Sequence, residues 1–174
     1  MESWNITPQG SRSYLLHNSS NTQVLLSKRA KPSLTKMLSR LEEANVPIAY
    51  TRGLKKIYFT IFSGRHMGDY VNGVIRMDAR SENDFMLSEV LIHELAHHVD
   101  DEELISEIPA VRAEKKKASK YLEDKYAKKS ISEYVAVCFE VFYFGSPPEI
   151  ESLRKRNPAV YSAILRVHKK YSKM

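Results

Sequence analysis

The stretch Glu89–Glu103, EVLIHELAHHVDDEE, carries three histidines and a run of acids on what its apolar spacing marks as a helix. His93 and His97 stand four residues apart, with Glu94 directly after the first. Positions four apart share a helix face, with Cβ atoms about 5–6 Å apart. Two imidazoles placed this way converge on one ion at bond lengths of about 2.0–2.1 Å. Glu94 follows His93 by roughly a third of a turn, on a helix of about 3.6 residues per turn. It is then outside the ligand set but within reach of a water on the ion. That is the general base of an H-E-x-x-H site, and the expected cofactor is Zn2+. Val90, Leu91, Leu95, Ala96 and Val99 supply the helix with a packing surface. The competing reading, a core helix that happens to carry histidines, leaves the joint placing of two histidines and a glutamate unexplained.

The other polar residues of the stretch have plainer readings. His98 points elsewhere on the helix and reads as an exposed histidine, with an outer hydrogen-bonding partner of the site as the alternative. Asp100 and Asp101 either close the helix end or orient a ligand histidine.

Two histidines do not complete a zinc site. Glu103 stands where a third histidine would extend the motif, so the longer H-E-x-x-H-x-x-G-x-x-H pattern is absent. A carboxylate on a later helix is the natural source. The apolar segment SISEYVAVCFEVFY offers Glu133 and Glu140, and a carboxylate in such surroundings is costly unless it is paired or bound to metal. The two are seven apart and share a face, so spacing does not separate them. Ser130-Ile131-Ser132-Glu133 also fits a capping box, which would turn Glu133 toward the backbone instead.

Composition frames these motifs. The chain has 174 residues, 43% hydrophobic and 28% charged, and reads as one soluble domain spanning residues 1–174. No stretch is long enough to span a bilayer. The N-terminus lacks a charged start followed by an apolar run, so no standard signal peptide is visible. A cytoplasmic protein and one exported by another route both fit. The single cysteine, Cys138, excludes an intrachain disulfide. The net charge of +6 raises the question of nucleic acid, but the basic residues are spread out, and Lys115-Lys116-Lys117 reads as a solvated helix face. Nucleic acid is therefore not an expected partner, and nothing in the sequence speaks to oligomeric state.

Along the chain, residues 1–22 read as irregular, residues 23–80 as a strand-and-helix part and residues 81–174 as a helical part. Strands are expected at Thr22–Lys28, at PIAYT (residues 47–51), at Lys55–Gly64 and at Tyr70–Ala79, and a helix at Ser33–Ala44. His66 lies in a glycine-marked loop and reads as solvent-exposed. After Pro109 the pattern is helical: Lys115–Tyr126, Ser130–Phe144, Glu149–Arg156 and Pro158–Tyr171. The layout is α+β.

Taken together, HELAHHVDD, Tyr126 in DKYAKKS, SEYVAVCFEVF and LRKRNPAVYSAI resemble the catalytic domain of anthrax lethal factor and its smaller relatives, the Pro-Pro endopeptidases. The resemblance is clearest over residues 90–165. In that family a tyrosine precedes the glutamate ligand by seven residues, as Tyr126 precedes Glu133. It implies a zincin-like metallopeptidase domain with a small mixed sheet, hydrolysing peptide bonds. It further implies zinc ligation by His93, His97 and Glu133, general-base catalysis by Glu94 and oxyanion stabilisation by Tyr126. The family helix often carries a second glutamate four residues after the ligand; here that position is Val137, so a supporting hydrogen bond is either missing or supplied by Glu140. Family relatives bind an extended peptide or protein substrate along a strand shortly before the motif, and NGVIRM (residues 72–77), with Gly73, Val74 and Ile75, is the expected substrate-binding edge. Two other readings stand beside this one: an immunity-type H-E-x-x-H regulatory protease acting on one partner protein, and a non-catalytic, basic nucleic-acid-binding module.

Overall fold

Alternating apolar residues build the sheet. In β4 (Lys56–Thr60) Ile57 and Phe59 are buried, and in β6 (Val74–Asp78) Ile75 and Met77 are buried, so one face of each strand looks into the core. The computed structural model describes residues 4–17, 21–27, 34–62, 67–78, 80, 83–118 and 125–174, without the side chains of Asp84, Lys125 and Tyr126. Among these residues the chain is α+β, with a mixed six-stranded sheet and seven α-helices. The remaining strands are β1 (Ile6–Gly10), β2 (Ser13–Leu16), β3 (Gln23–Leu26) and β5 (Gly68–Val71). Their spatial order is β1-β2-β3-β4-β6-β5. The β3–β4 and β4–β6 pairs are parallel and the other three antiparallel. Helix α1 (Leu34–Glu43) makes the crossover between β3 and β4, and its buried Leu34, Met37, Leu38 and Leu41 follow helical spacing.

Helix α2 (Asp84–Glu103) carries the histidine motif. It packs against β5, β6 and α1 and against α5 (Ile131–Phe144), so it is buried on more than one side. Leu87, Leu91, Ile92, Leu95, Ala96 and Val99 are all at most 1% exposed. Each large side chain among them contributes roughly 1.5–3 kcal/mol by burial, which fixes the helix firmly in place. Asn83 opens α2 by accepting hydrogen bonds from the Phe85 and Met86 amides. Leu104 ends it in a left-handed conformation, and the Asp100 carboxylate accepts from the Ser106 amide at 2.7 Å. Asp100 thus closes the helix end and does not orient a ligand histidine.

The C-terminal helices are α3 (Pro109–Ala118), α4 (Lys125–Lys129), α5, α6 (Pro147–Arg156) and α7 (Pro158–Tyr171). Glu114 of α3 supplies the cap of α7, accepting from the Ala159 and Val160 amides. Among the described residues no helix is long and apolar enough to cross a membrane.

Three local expectations are corrected. Residues 6–16, expected to be irregular, form the β1–β2 hairpin, which β3 extends as its neighbour. Residues 48–51, expected as a strand, form one 3-10 turn. A short apolar run does not distinguish strand from buried turn; here Tyr50 reaches inward, and its hydroxyl lies 2.7 Å from that of Tyr143. The single strand expected over residues 70–79 is a hairpin, β5–β6, because Asn72 and Gly73 have φ of 51° and 80°. That is the left-handed pair of a two-residue turn, and Asn-Gly is its characteristic dipeptide.

Candidate metal centre

The α-helical repeat brings His93 and His97 to one face of α2, and their Nε2 atoms lie 3.3 Å apart. Across from them, α5 presents Glu133, whose Oε2 is 3.1 Å from His93 Nε2 and 3.9 Å from His97 Nε2. These three atoms form a group that could hold a metal ion. For bonds of about 2.0–2.1 Å in a tetrahedron, neighbouring ligand atoms stand roughly 3.3–3.4 Å apart. The observed triangle brackets that value, so the residues fit the group.

The two imidazoles are also held from behind. His93 Nδ1 lies 2.5 Å from Glu140 Oε1, and His97 Nδ1 lies 2.8 Å from Ser132 Oγ. With Nδ1–H donated to these acceptors, both Nε2 lone pairs face the site. Glu133 and Glu140, inseparable by spacing, therefore have distinct positions: Glu133 completes the triangle, and Glu140 supports His93. The hydrogen bond that Val137 cannot make comes from one turn further along. The capping reading of Glu133 is half realised. Its amide donates to Ser130 Oγ at 3.0 Å, while its carboxylate faces the histidines.

The electrostatics of the pair are asymmetric. Burial opposes charge on His93, but the hydrogen-bonded Glu140 and the nearby Glu94 and Glu133 outweigh it and raise its pKa. Burial and the neighbouring His93 push His97 down to about 4. Glu94 is 5% exposed, and its carboxylate accepts no hydrogen bond from a described residue. Burial pushes it up to about 7, with His93 pulling the other way and Asp69, Glu133 and Glu140 adding to the rise.

Glu94 has a close neighbour that sequence reasoning missed. A Cβ placed on Gly68 would stand 2.6 Å from Glu94 Oε1 and 2.8 Å from Val90 Cγ1. The bare backbone of β5 is what leaves room for this carboxylate. The signal in the sequence was a second glycine in SGRHMGD, but nothing local says what it faces.

The cleft over the site has a volume of about 730 Å³ and lies between β5, α2 and α5. Gly73, Val74 and Ile75 do not line it. Their strand is interior: β6 is paired with β4 on one side and β5 on the other, so its main-chain groups are spent. Among the described residues, the free edge beside α2 belongs to β5. His98 also departs from expectation. It is 3% exposed, and its Nε2 lies 2.8 Å from the Arg52 carbonyl oxygen and its Nδ1 3.1 Å from the Tyr70 hydroxyl. Nε2–H donates to the carbonyl and the Tyr70 hydroxyl donates to Nδ1, so His98 ties α2 to the turn after Thr51 and to β5. Tyr126 stands on α4, which packs against α5, but its side chain lies outside the described residues, as does His66.

Compared with known proteins, the chain matches no family model and no curated sequence.

Proposed function

We propose that this chain is a zinc-dependent endopeptidase with a zincin-like fold, related to the catalytic domain of anthrax lethal factor and the Pro-Pro endopeptidases. The observation that carries the reading is the closed triangle of His93, His97 and Glu133, with the Glu94 carboxylate, which accepts no hydrogen bond from a described residue, in the same cleft. Two histidines and one glutamate form a ligand set of catalytic zinc sites, which keep a fourth position open. Bound there, zinc would polarise a carbonyl and lower the pKa of a water to roughly 7.

The chain's own residues account for the rest. Glu94, raised by burial toward neutrality, is matched to accept a proton near pH 7 and return it to a leaving amine. Glu140 and Ser132 hold the two imidazoles in one tautomer and orientation. Tyr126, seven residues before Glu133, takes the oxyanion role on the resemblance, since a phenol can donate to developing negative charge. An extended peptide would pair with the outer edge of β5 at residues 68–71, in place of the β6 residues first expected. The described lining of the cleft has six carboxylates against one ammonium, Lys129. A dication and the Asp69–Arg76 ion pair offset part of this and leave the cleft net acidic. Basic residues near the scissile bond are therefore favoured.

The test is metal analysis with cleavage of a peptide library. Wild type should bind one equivalent of zinc and cleave. Glu94→Gln should keep the zinc and lose turnover, and Tyr126→Phe should lower kcat by about a hundredfold or more. Full activity in Glu94→Gln, or folded protein with no affinity for zinc, would refute the reading.

A further inference from the structure

The charge of this protein is segregated. The cleft is acidic although the whole chain is +6. Part of the balancing charge stands immediately beside the cleft, on α3, α4 and α6. Lys129 lines the cleft itself. The preceding Lys128 is joined to α3 by a hydrogen bond from Lys115 Nζ to its carbonyl, at 3.4 Å. Lys117, two residues on, lines a second cavity of about 820 Å³ together with Arg156 of α6. Val137 borders both cavities, so the second opens directly beyond the wall of the cleft.

Among the described residues, the carboxylates close to this ridge, including Glu149 in the lining of the second cavity, have their own partners. Both oxygens of Glu114 accept from the first amides of α7. Glu149 accepts from the Ser146 amide and hydroxyl. Glu151 pairs with Arg154 and Lys155. Lys117, Lys128 and Arg156 have no ion pair with a described residue, and all three are exposed. A solvated helix face accounts for a lysine run on one helix. It does not account for Lys117 of α3 and Arg156 of α6 meeting at one cavity whose floor is apolar, at Val137, Val141 and Leu153, with Lys129 of α4 on the cleft next to it.

We infer that this ridge is an exosite for an acidic segment of the protein substrate, lying beyond the segment held in the cleft. The inference rests on the peptidase reading of the cleft. Charge complementarity sets the sign of the partner, and continuity at Val137 makes it part of the same chain that enters the cleft. A nucleic acid fits less well, because phosphates seated on the ridge would run on into the carboxylates of the cleft.

Two measurements on the whole 174-residue chain test this. The first is fluorescence anisotropy of labelled oligoglutamate, oligoserine and a single-stranded oligonucleotide on the Glu94→Gln protein. Oligoglutamate should bind best, and adding Lys117→Glu with Arg156→Glu should weaken it by about tenfold or more. Lys169→Glu with Lys173→Glu makes the same change in net charge near the far end of α7 and should leave affinity close to that of the parent. Equal losses in the two double variants, no loss in either, or tighter binding of the oligonucleotide would overturn the exosite. The second compares kcat/KM for one cleavable peptide carrying an acidic or a neutral tail. The acidic tail should lower KM in wild type, and the Lys117→Glu, Arg156→Glu protein should lose that advantage. Cleavage with no gain from the tail sinks the exosite alone. Oligoglutamate binding in a protein that cleaves nothing sinks the peptidase reading and leaves the acidic-partner surface standing.

Discussion

Gly68 shows how one missing atom shapes a site. Its φ lies outside the left-handed region, so alanine is compatible with the backbone there; only space forbids it. Glu94 and Val90 would both have to move. Gly68→Ala should therefore lower kcat by at least about tenfold while zinc stoichiometry stays at one, and Val90→Ala on top should return part of the loss. A Gly68→Ala enzyme with wild-type kcat would mean that Glu94 has slack the geometry does not show. Glu94 itself carries a stability cost in the metal-free protein. Its carboxyl is raised from 4.5 to about 7 in the folded chain, chiefly by burial. A group raised on folding contributes stability that is full below its unfolded pKa and is lost as pH rises through the folded one. Ionising Glu94 thus costs on the order of 3 kcal/mol between about pH 4.5 and 7. Metal-free Glu94→Gln should resist urea better than metal-free wild type at pH 8, with the gap closing toward pH 4.5. Equal midpoints at pH 8 would count against a desolvated Glu94.

At the scale of elements, the site is a meeting of two helices and a strand edge. Burial on more than one side locks α2, so His93 and His97 need only side-chain alignment. That alignment comes from α5, through Glu140 on His93 and Ser132 on His97. Glu140→Gln keeps a hydrogen-bond acceptor but removes the charge that raises the basicity of His93. Zinc affinity should fall by about 10- to 100-fold, measured by chelator competition, while the fold persists. An unchanged affinity would return Glu140 to the role of a solvated acid at the cleft rim. The β5–β6 hairpin does equivalent work on the other wall. The Asn72-Gly73 turn sends the chain back so that the short, second strand becomes interior and the first presents its edge to the cleft.

For the whole molecule, an ion at this site would link α2 to α5, the pair of helices around which the core is built. Zinc at a thousand times its Kd should stabilise the fold by about 4 kcal/mol, and chelation should lower Tm accordingly. Protons compete for the same imidazoles. Because His93 is raised and His97 lowered, His93 is the imidazole at which protons compete more strongly with an ion. The Tm gain from zinc should therefore shrink as pH falls from 8 to 5.5 in calorimetry, and a pH-independent gain would argue against ligation by His93.

Local geometry was legible without a structure. The i, i+4 histidine pair, the glutamate beside it, the helices after Ser130 and the α+β layout all follow from periodicities that a single segment carries, whereas the helix expected at Lys115–Tyr126 starts earlier, as α3 at Pro109. Helix α7 matches its expected span, residue for residue. What remained open involved partners distant in sequence. Glu133 and Glu140 share a face of α5, and only the height at which α5 crosses α2 puts Glu133 in the triangle and Glu140 behind His93. His98 is buried because the Arg52 carbonyl and Tyr70 reach it from other elements, and nothing on its own helix announces that. A strand's place in the sheet is a property of its neighbours: β6 has the stronger apolar pattern because it is interior, and for the same reason it has no edge to offer. The sequence by itself determined which groups share a helix face and so could act together. The tertiary structure decided which of them meet, because hydrogen bonds and burial are allotted between elements and not within them.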